Sequence, residues 1–443
     1  MSSIKKKCKT KKKINYKTLK PNIIDINGYS VLLLPIKNSK IIRAECLLFG
    51  GSIIENKQNT GISHLLEHII MDSWDKCKQK SCSFFWEKYG TFSNAFTGDT
   101  YLHFWKQGLS SNIDLIIDYL ISIIISPIFS KEIIDAEKKA IINELNGFIN
   151  DPSWRLWDSI YKNAYNDEGI KYGKDWNYQL DILKNIDKNK LTKFYKKYFN
   201  QKRILFIITG EFNKNEIIKL LKKKLITNSP PKQIVLNNCF TYNKKVIFVE
   251  NKKAKNTDIV LFFPISIRMG DKNYPYLSAF SRLIGGDLSS ILLKELRIKN
   301  DLVYKTTCNL FTNFCGSGCE IYISTLDENI LKVLDIVFKL IKKYKKKLVS
   351  VKQISYVKNK HLVKFYNKNL NNTDKLSSFF GLQFLFQLNK INKNIYSYND
   401  YSNLIKNISQ KKIKELFNEI FNTEQCIVCY MGKNKVNFSD NDY

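Results

Sequence analysis

Histidine is scarce in this chain, four among 443 residues, and two of the four fall within His64-Leu65-Leu66-Glu67-His68. One helical turn separates His64 from His68, so on a helix both rings and the Glu67 carboxylate leave from one side. Two neutral imidazoles so placed can grip one metal ion. Zinc takes imidazole readily, and its catalytic sites use three protein ligands and leave the fourth position to water. Glu67, beside His68, is poorly placed as a third ligand but well placed to take a proton from a metal-bound water. The order His-x-x-Glu-His is the inverse of the more familiar His-Glu-x-x-His helix. The plain alternative is an amphipathic helix that packs Leu65, Leu66, Ile69, Ile70 and Met71 into a core and carries two ordinary histidines.

A third ligand decides between these, and the next strongly periodic segment offers one. Ile133, Ile134, Ala140, Ile141 and Leu145 give a helix over residues 131–148, with Ser130 as its N-cap. Glu137 and Glu144 are seven apart, two turns, and share a face of it. A carboxylate pair on a helix face is ordinarily solvated surface. His103, on a strand expected over Tyr101 to Trp105, is the alternative third ligand, and His361 is assigned to the surface.

Taken together these residues resemble the metallopeptidase family of pitrilysin, insulin-degrading enzyme and mitochondrial processing peptidase. That family's pattern is His-x-x-Glu-His, then Glu-x6-Glu some seventy to eighty residues on; here Glu144 follows His68 by 76. The resemblance implies one Zn2+ per chain held by His64, His68 and Glu144, with Glu67 as catalytic base and Glu137 as the carboxylate supporting the ligands. Phe92-Ser93-Asn94-Ala95-Phe96-Thr97 is similar to the family's edge strand, which implies that Asn94, Ala95 and Phe96 bind the substrate backbone by β-augmentation. Asn150-Asp151-Pro152-Ser153-Trp154-Arg155 also matches and reads as a helix stop and turn. In the second half, Gly285-Gly286, Arg297 and Tyr304 resemble the family's glycine-rich turn, helix-end arginine and strand tyrosine. The implied roles are a hold on the peptide carbonyl for Arg297 and a hydrogen bond to the developing oxyanion for Tyr304.

The elements that must position these groups form two halves. A chain of 443 residues is too long for one ordinary core. Residues 203–210 and 426–432 each close a half as a buried strand and turn, an echo that suggests duplication. The division read from the sequence is a basic tail over 1–20, a zinc-binding peptidase domain over 21–226, a linker over 227–243 and a second, substrate-binding domain over 244–443. The helix near Tyr276 to Ile284 occupies in the second half the place of the histidine helix and carries no His, Asp or Glu. The resemblance implies an α+β fold: two homologous layered domains, each a mostly antiparallel sheet with helices packed on one face. It also implies pairing with a second chain, as a homodimer or as a heterodimer with a related subunit.

The formal net charge of +32 includes the run Lys5-Lys6-Lys7-Cys8-Lys9-Thr10-Lys11-Lys12-Lys13, read as a solvated tail rather than a nucleic-acid patch. So basic a chain suits an acidic or neutral peptide better than an arginine-rich one. No apolar segment follows the N-terminal basic run, so no signal peptide is read there. The apolar stretch 113–129 contains Asp114, Asp118 and Pro127 and is a core helix, not a membrane span. A soluble intracellular protein is expected. Ten cysteines in this length make no disulfide scaffold, and Cys315/Cys319 and Cys426/Cys429 are read as reduced, structural thiols. The function expected is a zinc endopeptidase acting on peptides or unfolded protein. The alternatives are a non-catalytic subunit of a larger complex and a basic nucleic-acid-binding protein on a protease-like fold.

Overall fold

Segments such as Ile204–Gly210 and Thr257–Ile265 are apolar at almost every position, the pattern of strands covered on both faces. The computed structural model describes residues 19–77, 82–226, 239–241, 243–268, 271–312, 315–367, 372–391 and 394–438. Its first sheet comprises β1 (Ile23–Ile26), β2 (Tyr29–Pro35), β3 (Ile41–Phe49), β4 (Phe92–Thr97), β5 (Tyr101–Leu109) and β6 (Ile204–Gly210), in the order β1-β2-β6-β3-β5-β4. The second comprises β7 (Lys245–Glu250), β8 (Thr257–Ile265), β9 (Val303–Thr312), β10 (Ser317–Thr325) and β11 (Ile427–Gly432), in the order β7-β11-β8-β10-β9. With β1 set aside the two orders coincide. So do the directions: β2 with β6 and β7 with β11 are parallel, and the remaining pairs are antiparallel. The duplication suspected from two similar strands extends to five strands of each half.

The helices of the first half are α1 (Ile62–Met71), α2 (Cys82–Glu87), α3 (Ile113–Ile125), α4 (Lys131–Asn150), α5 (Pro152–Ala164), α6 (Glu168–Gly173), α7 (Trp176–Lys184), α8 (Lys188–Tyr198) and α9 (Lys214–Lys224). Those of the second are α10 (Tyr274–Gly285), α11 (Ile330–Lys346), α12 (Val351–Tyr366), α13 (Thr373–Leu388), α14 (Tyr398–Lys406) and α15 (Gln410–Ile420), with a π-helical turn over Leu293–Lys299. α10 lies between β8 and β9 as α1 lies between β3 and β4, the equivalence expected from the sequence. Among the described residues no helix is long and apolar enough to cross a membrane.

The α+β expectation holds, but it left one face of each sheet open, and both are covered by exchange between the halves. Leu32, Leu34, Leu47, Leu205 and Ile207 of the first sheet pack against Leu376, Phe380 and Phe384 of α13. Val260, Phe262, Ile427, Cys429 and Met431 of the second pack against Leu156, Ile160 and Ala164 of α5. Burying such a side chain contributes roughly 1.5–3 kcal/mol, so each half stabilises the other's sheet.

Two sequence expectations are corrected here. Cys315 is not a free thiol: it forms a disulfide with Cys239, 76 positions away, and Cys82 is also disulfide-bonded. The end of the linker brings Cys239 there, through the Tyr165–Phe240 bridge and the bond from Thr241 N–H to the Ala164 carbonyl. Cys319, Cys426 and Cys429 are free and buried, as expected, and so are Cys46 and Cys308. His361 is not on the surface. It is 6 % exposed on the face of α12 that also buries Ile354, Val357 and Phe365. The basic run at residues 5–13 and linker residues 227–238 lie outside the described residues.

Candidate metal centre

Gly61, at φ 84°, turns the chain into α1, a left-handed conformation that glycine adopts without a Cβ clash. The first helical N–H groups lack intrahelical partners, and the Glu55 carboxylate meets two of them: Gly61 N–H at 2.8 Å and Ser63 N–H at 2.7 Å. Burial pushes the Glu55 carboxyl up to about 7, against the lowering effect of these bonds. Ile62, Leu65, Leu66, Ile69 and Ile70 fill the core, which leaves His64, Glu67 and His68 toward α4 and β4.

α4 begins where expected, with Ser130 Oγ accepting from Ile133 N–H at 3.2 Å. Asp151 ends it and caps α5, whose first residue is Pro152. Ile134, Ile141 and Leu145 are its buried line. Glu137 and Glu144, each three positions after a buried isoleucine, face α1 from the edge of that line.

The ligand atoms of His64, His68 and Glu144 lie within 4.8 Å of one another, a set able to hold a metal ion and the only such set found among the described residues. Glu144 Oε2 is 3.7 Å from His64 Nε2 and 3.8 Å from His68 Nε2. The other nitrogen of His68, Nδ1, is 2.9 Å from Glu137 Oε2. Burial, with the nearby His68 charge, pushes His64 down to about 4, which leaves it neutral and ready to ligate at pH 7. Burial also disfavours a charged His68, but the Glu137 hydrogen bond and the Glu67, Glu137 and Glu144 charges outweigh it and raise the pKa. Two neutral-capable imidazoles and a carboxylate are a donor set that fits a divalent zinc-like ion.

Glu67 is held from outside α1. Thr97 Oγ1 donates to Glu67 Oε2 at 2.7 Å, and the Thr97 backbone N–H adds a second bond. Burial raises the Glu67 pKa; the Thr97 bonds oppose this. β4 is the free edge of the first sheet and pairs only with β5. Ala95 N–H donates to the Asn94 side chain at 2.8 Å rather than to β5. By antiparallel alternation Ser93 and Ala95 therefore turn their backbone groups to the free edge. Phe96 points to the other face of the sheet, its ring 5.9 Å from that of Tyr101.

A cleft of about 620 Å³ joins the metal cluster to this edge. Its far wall is aromatic: Phe148, Trp154 and Trp176 stand with ring centres 5.1–5.3 Å apart. Sequence reasoning treated Trp154 as part of a turn and missed this wall; a tryptophan three residues past a helix stop was the available signal. Arg297 and Tyr304 are not in the cleft. They stay together, with the guanidinium 5.9 Å from the Tyr304 ring, on the free edge of the second sheet. Tyr304 is skipped in the β9–β10 pairing, a bulge that turns the side chain out to 74 % exposure.

His103 as third ligand is contradicted. On β5 the core-facing residues are Leu102, Phe104 and Lys106, so His103 leaves from the opposite face. There its Nε2 is 2.6 Å from Glu45 Oε2, and Glu45 also meets Arg43 and Ser377 of α13.

Comparisons with known proteins bear on the family and the fold. The sequence model of insulinase (peptidase family M16) matches residues 37–173, and that of the peptidase M16 inactive domain matches residues 185–360. An uncharacterized zinc protease of Rickettsia felis is 24% identical over 311 residues, 69% of this chain and 73% of that protein. The mitochondrial-processing peptidase subunit beta of Caenorhabditis elegans is 22% identical over 176 residues, 39% of this chain and 37% of that subunit. Among solved structures, a protease from Helicobacter pylori superposes with a TM-score of 0.81 at 19% identity, over 93% of this chain and 99% of that one. The first half of the periplasmic protease PqqL from Escherichia coli gives 0.74 at 15% identity, over 94% and 92%. With both M16 models matched in sequence order and the fold shared almost end to end, the chain belongs to the insulinase (M16) peptidase family, as a half-length member built from two similar α+β halves.

Proposed function

We propose that this protein is a zinc-dependent endopeptidase that hydrolyses peptide bonds in extended polypeptides. The observation that carries the reading is the convergence of His64, His68 and Glu144 within 4.8 Å, beside a Glu67 carboxylate held at 2.7 Å by Thr97. His64, His68 and Glu144 would hold the zinc ion, which would supply Lewis acidity toward a water and a peptide carbonyl. The substrate adds to the free edge of β4, with the Ser93 and Ala95 backbone groups as partners and the Asn94 side chain displaced from Ala95 N–H. Glu67 takes the proton of the attacking water and hands it to the departing amine. Its raised pKa suits both steps, since a base poised nearer neutrality also serves as an acid. Thr97 keeps the carboxylate aimed while the proton moves. Glu137 holds the His68 ring so that Nε2 stays available.

In this reading residues 21–226 form the catalytic domain and residues 244–443 the substrate-binding one. Tyr304, on the edge strand equivalent to β4, and Arg297, on the π-helical turn before that strand, would engage the peptide as the second half or a partner subunit closes over the cleft. The similarity to a subunit of mitochondrial-processing peptidase supports pairing of this chain, as a homodimer or with a related subunit. Digestion of an unfolded protein by zinc-loaded enzyme, with product termini identified by mass spectrometry, tests the activity. Chelator-sensitive internal cleavages support the reading. A zinc-loaded protein that cleaves nothing would instead favour the non-catalytic subunit.

A further inference from the structure

On the other side of the metal cluster lies a second cavity of about 560 Å³, which shares Glu67, His68, Asn94 and Ala95 with the cleft above. Lys106 of β5 lines it, and its side chain is almost wholly buried, 1 % exposed. The ammonium lies 3.8 Å from the centre of the Trp86 ring and 4.6 Å from that of Tyr119. Its hydrogen-bond partner is Ser93 Oγ, at a long 3.4 Å. No ion pair found among the described residues includes Lys106. An ammonium taken out of water without a counter-ion is costly, and aromatic faces offset that cost only in part. Burial accordingly pushes Lys106 down to about 7.

Three of the four carboxylates that line the cavity are engaged elsewhere. Glu137 holds His68, Glu67 is held by Thr97, and Asp72 accepts from Cys82 N–H; Glu87 is exposed at the outer wall. Ser93 and Lys106 are directly paired across β4 and β5 and face the same side as Thr97, the side of Glu67. A peptide added to β4 sends alternate side chains to that side.

Building on the peptidase reading, we propose that this cavity is a specificity pocket for an acidic side chain, Asp or Glu, next to the cleaved bond, whose carboxylate ion-pairs with Lys106. The pocket supplies the cation and the aromatic walls, and the substrate supplies the missing anion. Zinc-loaded enzyme is given sets of fluorogenic peptides that carry Glu, Gln or Lys at each of three positions on either side of one scissile bond. At one position the wild type favours Glu over Gln in kcat/KM by about tenfold or more, the scale of a charge-assisted hydrogen bond in a dry site, and Lys is disfavoured. Lys106→Met, of similar length and apolar, brings the Glu-to-Gln ratio close to one, and Lys106→Arg keeps a preference for Glu. Zinc content reports that the cleft of each variant is folded. Equal cleavage of Glu and Gln peptides at every position, or an unchanged ratio in zinc-loaded Lys106→Met, overturns the pocket and leaves the peptidase reading standing. Cleavage of no peptide at all overturns both.

Discussion

The Nδ1 atom of His68 stands 2.9 Å from Glu137, while its Nε2 faces Glu144 at 3.8 Å, so the two glutamates of one helix face the two nitrogens of one ring. Glu137 thereby fixes which nitrogen carries the proton and which can ligate. The seven-residue spacing of Glu137 and Glu144 is a device for gripping a ring from both ends.

Glu137→Gln keeps the shape but gives up the charge that strengthens the bond to His68. Zinc affinity should fall by about 10–100-fold, the usual cost of losing such a support. Competition against a calibrated chelator measures it. An unchanged affinity would show that Glu137 does not orient the ring.

Thr97→Val removes one hydroxyl and leaves the β4 backbone bond to Glu67 in place. The kcat should fall by roughly tenfold with KM little altered, as expected when a proton-transfer group loses its aim. Thr97 lowers the Glu67 pKa, so its loss should move the acid limb of the pH–rate profile to higher pH. Zinc content is unchanged.

Tyr161 of α5 donates to Glu320 of β10 at 2.7 Å, a polar link between the halves, and burial pushes the Glu320 carboxyl up to about 7 from an ordinary 4.5. A carboxyl raised on folding favours the folded state below its unfolded pKa, and that contribution is lost as pH rises through the folded one. Glu320→Gln still accepts from Tyr161 and never ionises. Its stability relative to wild type should therefore grow between pH 5 and pH 8, by about 2–3 kcal/mol at most. Denaturant titrations across that range measure it, and a constant difference would contradict the assignment.

Phe380 lies in the second half but is buried against the first sheet. Phe380→Ala should cost about 3–5 kcal/mol and lower the melting of both halves together, since α13 and α5 tie each sheet to the other half. Two calorimetric transitions, with only the later residues affected, would contradict this coupling.

What could be read from the sequence was local or periodic. Helical spacing assigns His64, Glu67 and His68 to one face and Glu137 and Glu144 to another, while the choice of Glu144 as ligand and Glu137 as support came from the family resemblance; β6 and β11 were legible because their apolar runs are short and end in glycine. What joins distant segments was not. Nothing near Cys239 points to Cys315, and the mostly apolar α13, with Leu376, Phe380 and Phe384, signals burial without saying that its partner is the first sheet. Trp154 and Trp176 enter the cleft only because α5 and α7 fold back beside α4. His361 was legible and misread, since Ile354, Val357, His361 and Phe365 recur at helical spacing on a buried face.

The central claim is that Glu67 moves the proton at a metal held by other residues. Glu67→Gln, prepared beside the wild type, should bind one zinc per chain with similar affinity by elemental analysis and chelator competition, yet cleave an unfolded polypeptide slower by about 10²–10⁴-fold. Full zinc occupancy with undiminished cleavage in Glu67→Gln would contradict the account.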